Sequence, residues 1–105
     1  MRIVTLNLNG IRSAVNKGFL RWLAKQSADI VCVQELKAQD KDLSRAIRNP
    51  GNFQGYFHCA ERPGYSGVGL YCRKQPDCVI YGVGIADIDA EGRYIEARFG
   101  NLSVV

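Results

Sequence analysis

The chain has 105 residues, which is enough for one domain with its own apolar core. Its 47% of hydrophobic and 23% of charged residues are ordinary for a soluble globular protein, and no apolar stretch is long enough to span a bilayer. The net charge of +4 weakly favours a polyanionic partner, although no run of Lys or Arg forms a basic tail. Because the N-terminus also lacks the apolar core of a signal peptide, we expect a cytoplasmic protein with no membrane partner.

The first third of the chain has the pattern of a strand, a helix and a second strand. Residues Arg2–Leu8 are apolar and β-branched, and the predicted strand ends where Asn9-Gly10 tolerates positive φ. The predicted helix should bury the face that carries Ile11, Val15, Phe19, Trp22 and Leu23. The run Ile30–Gln34 is nearly all apolar, which is typical of a strand buried on both faces of a parallel sheet. These elements predict a βαβ unit with a right-handed crossover.

The remainder of the chain predicts one shorter helix and then a series of strands. The helix should begin at Asp40, a good N-cap, and end at Asn49-Pro50-Gly51. The predicted strands are Phe53–Ala60, Val68–Arg73, Cys78–Ile85, Tyr94–Phe99 and Leu102–Val105. Short links between them favour antiparallel pairing. No linker or repeat appears, so residues 1–105 are expected to form a single domain, and the strand-like end suggests that this domain is incomplete.

The four cysteines do not have the spacing of a zinc site or a redox motif. No Cys-x-x-Cys pair occurs in the chain. Cys32, Cys59 and Cys72 lie in strand-like apolar runs, where Cys behaves as a small hydrophobic residue. We therefore expect buried, reduced thiols rather than a metal or redox site.

Two polar residues end the two strands of the predicted βαβ unit. Asn7 ends the first strand and Glu35 ends the second. Ligands of open α/β folds gather where the carboxyl ends of parallel strands meet, so the two side chains should approach each other if the strands are neighbours. An amide carbonyl and a carboxylate suit Mg²⁺ or Mn²⁺, and Mg²⁺ takes few protein ligands. Spacing alone leaves open that Asn7 only turns the chain and that Glu35 is a solvated charge.

Three cations lie close to these strand ends. Arg12 and Lys17 belong to the first predicted helix, and Lys37 follows Glu35 by two residues. Cations at such positions can contact phosphates and position a nucleic-acid backbone without reading its sequence. Each of them, taken singly, is better explained as a solvated surface charge.

Two turns add further candidate residues. The glycine-rich stretch Arg62–Gly69 permits close backbone approach, and Tyr65 within it offers a hydroxyl and an aromatic face. A plain hairpin loop explains this stretch equally well. Arg93 stands at the exit of the ordinary turn Asp89–Arg93. His58, the only histidine, lies inside a predicted strand, which favours a structural role over general-base chemistry.

Four of these segments, taken in order, resemble the exonuclease III class of abasic-site endonucleases, within the endonuclease/exonuclease/phosphatase superfamily. They are Asn7–Arg12, Val33–Lys37, Gly64–Val68 and Glu91–Ile95. One such segment is a weak indication, but four in order with compatible spacing are specific, and they cover essentially the whole chain. Asn9 stands where some members of the class carry Asp, which resembles the bacterial branch.

The resemblance implies hydrolysis of a DNA phosphodiester 5′ to an abasic site, together with 3′–5′ exonuclease activity. The implied partner is double-stranded DNA with abasic sites, and the implied cofactor is Mg²⁺, with Mn²⁺ as a possible substitute. Asn7 and Glu35 are assigned to the metal. The residues assigned to the DNA-facing edge are Arg12, Lys17, Lys37, Tyr65 and Arg93. The implied fold is α/β, the N-terminal part of a four-layered α/β sandwich in which helices flank two packed mixed β-sheets.

The resemblance also implies that this chain holds no catalytic residue. The Asp-x-Asn pair, the catalytic Tyr, a later Asp and the Asp-His of the class have no match and would lie after Val105. A missing C-terminal half would then be needed for a complete fold, and the chain would be inactive alone. Two alternatives stay open: a non-catalytic fragment that binds DNA or metal, and another phosphohydrolase of the same superfamily.

Overall fold

In a computed structural model that describes all 105 residues, seven strands form two sheets. The first sheet has the order β1-β2-β4-β3, and its strands are β1 (Ile3–Asn7), β2 (Ile30–Gln34), β3 (Gln54–His58) and β4 (Val68–Cys72). The second sheet has the order β5-β6-β7, and its strands are β5 (Cys78–Tyr81), β6 (Ile95–Phe99) and β7 (Leu102–Val104). Every predicted strand is present, and each lies within its predicted bounds.

The pairing of the strands confirms the predicted topology. β1 and β2 are parallel, with Ile3 opposite Ile30 and Asn7 opposite Gln34. All other pairs are antiparallel, and for β6 and β7 this agrees with the short link between the two strands. The fold is therefore a mixed α/β arrangement with two sheets, in which the first sheet contains both kinds of pairing.

The first predicted helix is two short helices, α1 (Ile11–Asn16) and α2 (Phe19–Ala24). Gly18 separates them with a φ of 100°, in the left-handed region that glycine adopts without steric cost. Because this break turns the chain, the two helices do not share one helical period. Phe19 and Leu23 are buried as predicted, but Trp22 is 37% exposed, so its prediction as a core residue is wrong.

The second predicted helix is also broken. A 3-10 turn occupies Asp40–Asp42, and α3 (Arg45–Arg48) begins after Ser44, whose hydroxyl accepts a hydrogen bond from the amide of Ile47 at 3.3 Å. Gln39 precedes the 3-10 turn, so the predicted N-cap role of Asp40 is wrong. One further helical turn, α4 (Ala86–Asp89), was not predicted. No helix in this set combines the length and the apolar character needed to cross a lipid bilayer.

Two apolar clusters hold the layers together. In the larger cluster, between the first sheet and its helices, Tyr71 is fully buried and donates a hydrogen bond to the carbonyl of Ile47 at 2.8 Å. The smaller cluster joins the two sheets, and its buried members are Ile30, Leu70, Cys72, Ile95, Ala97 and Val104. The two sheets therefore pack face to face, as the α/β sandwich predicts.

The four cysteines are free, as expected, but they are not all buried. Cys72 is buried, Cys32 and Cys59 are half-buried, and Cys78 is exposed. Burial raises the pKa of Cys72 to about 12, and burial together with the Asp40 carboxylate raises the pKa of Cys59 to about 11. These two thiols are therefore protonated near neutral pH and unsuited to nucleophilic chemistry.

Glu96 in β6 should make the stability of the fold depend on pH. It is 8% exposed and accepts hydrogen bonds from the Tyr94 hydroxyl at 2.7 Å and Arg98 Nε at 2.9 Å. These bonds, that from Tyr94 first, lower the pKa of Glu96 to about 2. Because its unfolded-state pKa is about 4.3, this stabilisation is present at higher pH and is lost as the pH falls towards the folded value.

We therefore expect wild type to be more stable than Glu96→Gln near neutral pH, and the difference to shrink as the pH approaches about 2. Urea unfolding followed by circular dichroism at several pH values measures this. Tyr94→Phe removes one hydrogen bond and should give an intermediate result. A wild-type advantage that stayed constant throughout this acid range would contradict the assignment.

Candidate metal centre and nucleic-acid interface

Backbone hydrogen bonds join three loops at one edge of the first sheet. The amide of Gly10 donates to the carbonyl of Glu35 at 2.8 Å, which ties the loop after β1 to the loop after β2. The amide of Lys37 donates to the carbonyl of Ser66 at 2.8 Å, which ties the second loop to the loop before β4. We name this region the strand-end edge and define it as residues 7–10, 35–37 and 64–67.

Backbone strain is concentrated at the strand-end edge. Only four non-glycine residues have positive φ, and all of them lie there: Asn9 at 46°, Glu35 at 53°, Lys37 at 50° and Ser66 at 52°. A non-glycine residue in the left-handed region costs about 1 kcal/mol or more, and such residues cluster at functional sites. The sequence indicated this conformation at Asn9, but nothing in it predicted the strain at Glu35 and Lys37.

The strand ends that carry Asn7 and Glu35 are neighbours in the sheet, as predicted. Asn7 pairs with Gln34 across the parallel strands, and Glu35 is the first residue after the end of β2. The Asn7 carbonyl oxygen accepts one hydrogen bond, from the amide of Asn9 at 2.9 Å, and a second lone pair remains. Glu35 is half-buried and forms none of the four ion pairs of the chain. Both side chains therefore keep oxygen atoms for another partner.

The donor set of this pair fits a hard divalent cation. One amide carbonyl and one carboxylate match the oxygen preference of Mg²⁺, which usually keeps several waters beside a few protein ligands. No group of three or more His, Cys, Asp and Glu side chains is arranged to hold a metal. Asn7 and Glu35 can thus form part of a magnesium site, in which they would leave most positions to water or other groups.

Lys37 and Arg12 both have partners within the chain. Lys37 Nζ donates to Asn9 Oδ1 at 2.6 Å, and Arg12 Nη2 donates to the Lys37 carbonyl at 2.9 Å. Arg12 Nη1 also lies 3.8 Å from Asp42 Oδ1. The two cations therefore brace the strained loops, and the Asp42 carboxylate offsets part of the Arg12 charge.

Lys17 lies on another side of Asn7. A cavity of about 430 Å³ is lined by Leu6, Asn7, Leu8, Asn9, Ser13, Ala14, Lys17, Gly18, Phe19 and Trp22. Lys17 is exposed at the end of α1, where none of the four ion pairs includes it. The structure thus brings Lys17 to the same cavity as Asn7, and it adds Trp22, which periodicity had assigned to the core.

Tyr65 and Arg93 meet through a third residue, Glu91. The Tyr65 hydroxyl donates to Glu91 Oε1 at 2.9 Å, and Arg93 Nε donates to the same oxygen at 3.0 Å. Arg93 Nη2 donates to the Tyr65 hydroxyl at 2.7 Å and closes the Tyr65–Glu91–Arg93 triangle. Hydrogen bonds from Arg93 and Tyr65 lower the pKa of Glu91, and Glu91 in turn raises the pKa of Arg93.

The triangle lies on the same side of the molecule as the ends of β1 and β2. Arg93 lines a cavity of about 210 Å³ between the two sheets together with Gln34, which directly precedes Glu35. His58 belongs neither to the strand-end edge nor to the triangle. Its Nδ1 lies 2.7 Å from the Tyr94 carbonyl, and its ring packs edge-on against Tyr81. Its position supports the structural role predicted for it.

A model of the endonuclease/exonuclease/phosphatase family matches residues 4–105. The chain belongs to this family. That membership confirms the resemblance on which the sequence interpretation was based.

Individual members of the family extend the comparison. An exodeoxyribonuclease of Bacillus subtilis is 37% identical over the whole chain, which covers 41% of that protein. A DNA-(apurinic or apyrimidinic site) endonuclease of Dictyostelium discoideum is 30% identical over the whole chain, which covers 29% of it. The solved structure of an AP endonuclease from Archaeoglobus fulgidus has a TM-score of 0.81 at 27% identity, covering 98% of this chain and 39% of that one. The chain thus spans about two fifths or less of each relative.

The positive φ of Glu35 allows a stability test of whether its side chain contributes to packing. Glu35→Gly should raise the free energy of unfolding by about 0.5–1 kcal/mol, because glycine adopts the left-handed backbone without strain. Glu35→Ala keeps the strain and serves as the matched control, which should not be stabilised. Urea unfolding measures both changes. If Glu35→Gly instead lowered stability by more than about 1 kcal/mol, the Glu35 side chain would belong to the packing rather than to a site.

Proposed function

We propose that this chain supplies the metal-binding and backbone-contacting part of a DNA-repair phosphodiesterase that acts 5′ to an abasic site. The observation that carries the proposal is the placement of Asn7 and Glu35 at adjacent ends of parallel strands, in a chain of this family. Relatives named exodeoxyribonuclease and DNA-(apurinic or apyrimidinic site) endonuclease support DNA with abasic sites as the substrate.

In this proposal, Asn7 and Glu35 hold Mg²⁺ through their side-chain oxygens, and Mn²⁺ can take its place. A bound divalent ion supplies positive charge that offsets charge developing on a phosphate during hydrolysis. The chain contributes the rigid support for these ligands. Lys37 holds Asn9, and the amide of Asn9 in turn holds the Asn7 carbonyl oxygen, so the amide ligand keeps one orientation.

The DNA backbone would lie along the strand-end edge. Tyr65 and Arg93 present a hydroxyl and a guanidinium, and Lys17 presents an exposed ammonium on the other side of Asn7. Contacts of this kind to phosphates fix the register of a duplex without reading its bases. Arg12 and Lys37, which have internal partners, would act mainly by holding the loops in place.

The proposal assigns metal and phosphate contacts to this chain and no general base. The only histidine is engaged with the Tyr94 carbonyl, and the two cysteines with strongly raised pKa values are protonated. Activation of the attacking water and protonation of the leaving group would then depend on residues that this chain does not contain.

Metal binding can be measured directly on the chain with Mn²⁺ as the probe. We expect paramagnetic broadening of the Asn7 side-chain amide and of the Glu35 backbone amide in NMR spectra as Mn²⁺ is added. Glu35→Gln should weaken this binding about tenfold or more, because it removes the charged ligand. Asp87→Asn, an exposed carboxylate on α4, is the matched control and should leave the broadening unchanged. Equal broadening in wild type and Glu35→Gln would remove Glu35 from the ligand set.

A labelled duplex that contains one abasic site tests whether this chain binds DNA without hydrolysing it. With Mg²⁺, the 105-residue chain should bind the duplex and leave it intact, as it does with EDTA. Gel electrophoresis under denaturing conditions reports nicking, and a fluorescent label reports binding. Nicking that needs Mg²⁺ would contradict the assignment of hydrolysis to residues outside the chain, and absence of binding would contradict the proposed DNA interface.

A further inference from the structure

Glu91 lies at the centre of the Tyr65–Glu91–Arg93 triangle, although its sequence pattern indicated only an ordinary turn. We propose that Glu91 is a positioning residue, which holds the Arg93 guanidinium and the Tyr65 hydroxyl in one geometry for a backbone phosphate of DNA. This inference rests on the proposed function. It assigns to an acidic residue a role at an interface that should otherwise favour cations.

The hydrogen bonds of the triangle fix the direction of each donor. Glu91 Oε1 accepts from both the Tyr65 hydroxyl at 2.9 Å and Arg93 Nε at 3.0 Å. The Tyr65 proton therefore points to Glu91, and the Tyr65 oxygen accepts from Arg93 Nη2 at 2.7 Å. These bonds use two of the five guanidinium N–H groups, so three remain. The planar guanidinium can present those groups to a phosphate as a fork.

Glu91 can hold its partners because its own backbone is fixed against the first sheet. The carbonyl of Ala90 accepts a hydrogen bond from the amide of Glu61 at 2.9 Å. Gly92 has a φ of 60°, and a Cβ at this position would lie 2.5 Å from the backbone nitrogen of Ala60. The turn is thus in direct backbone contact with the segment after β3. Glu91 is held in place by this contact, and its carboxylate positions the Arg93 side chain.

The pair is too exposed to serve chiefly as a source of stability. The side chains of Glu91 and Arg93 are 46% and 56% exposed, and ion pairs in such surroundings contribute little to folding. The Glu91–Arg93 ion pair instead restricts the rotation of the long Arg93 side chain before a ligand binds. Arg62 adds a second cation 5.1 Å from the centre of the Tyr65 ring, which keeps positive charge beside the triangle.

Two substitutions separate positioning from charge. Glu91→Gln keeps an oxygen that accepts both hydrogen bonds, and Glu91→Ala removes it. We expect Glu91→Gln to bind an abasic-site duplex within about twofold of wild type and Glu91→Ala to bind about three- to tenfold more weakly. Asp87→Asn removes an exposed charge of the same sign from α4 and should match wild type.

The measurement is fluorescence anisotropy of the full chain with a labelled duplex over a range of salt concentrations. Loss of one phosphate contact reduces the slope of log affinity against log salt by about 0.9, which a general loss of folded protein does not do. Of the two Glu91 variants, we expect this smaller slope only for Glu91→Ala. Circular dichroism before each titration ensures that only folded variants are compared, and Arg93→Ala, which lacks the contact itself, should reproduce the slope of Glu91→Ala.

The outcomes distinguish this inference from the function on which it rests. If wild type does not bind the duplex, the proposed DNA interface fails and the role of Glu91 fails with it. If wild type binds and Glu91→Ala has the same affinity and slope, only the role of Glu91 is overturned. Tighter binding by both Glu91 variants would also overturn it, since the carboxylate would then compete with phosphate rather than prepare for it.

Discussion

The parallel pairing of β1 with β2 is the constraint on which the rest of the structure depends. Its register sets Asn7 opposite Gln34, and further backbone hydrogen bonds join the loops after the two strands, where Gly10 donates to the Glu35 carbonyl. A shift of one residue would turn the side chains of a strand to the opposite face and would separate the two candidate ligands, Asn7 and Glu35. The strained loops, their bracing cations and the link to the loop before β4 are all built outward from this pair of strands.

The sequence predicted the strands better than the helices, for a physical reason. An apolar run such as Ile30–Gln34 is buried by its neighbours, so its composition determines its limits. The helices are short, and their breaks at Gly18 and Leu43 depend on local turns that an amphipathic pattern does not reveal. Trp22 illustrates the error, because its spacing from Phe19 fits a continuous helix that the chain does not form.

The candidate site divides in the same way between what was predictable and what was not. The adjacency of the strand ends that carry Asn7 and Glu35 follows from the order of elements along the chain, and the structure confirms this adjacency. The hydrogen bonds of Lys37 to Asn9 and of Glu91 to Tyr65 join residues that are 28 and 26 positions apart in the sequence. Residue type and spacing carry no record of such contacts, so a lysine that braces a loop could not be distinguished from one that faces solvent.

The backbone contact at Gly92 has a consequence for how this protein can vary. Since even a methyl group there would meet the main chain after β3, the turn accepts no side chain at this position unless that segment moves. Asp87 and Ile88, exposed one turn earlier, are under no such restriction. Any side chain at Gly92 would displace the backbone next to Arg93, so the smallest residue of the turn sets the position of its longest side chain.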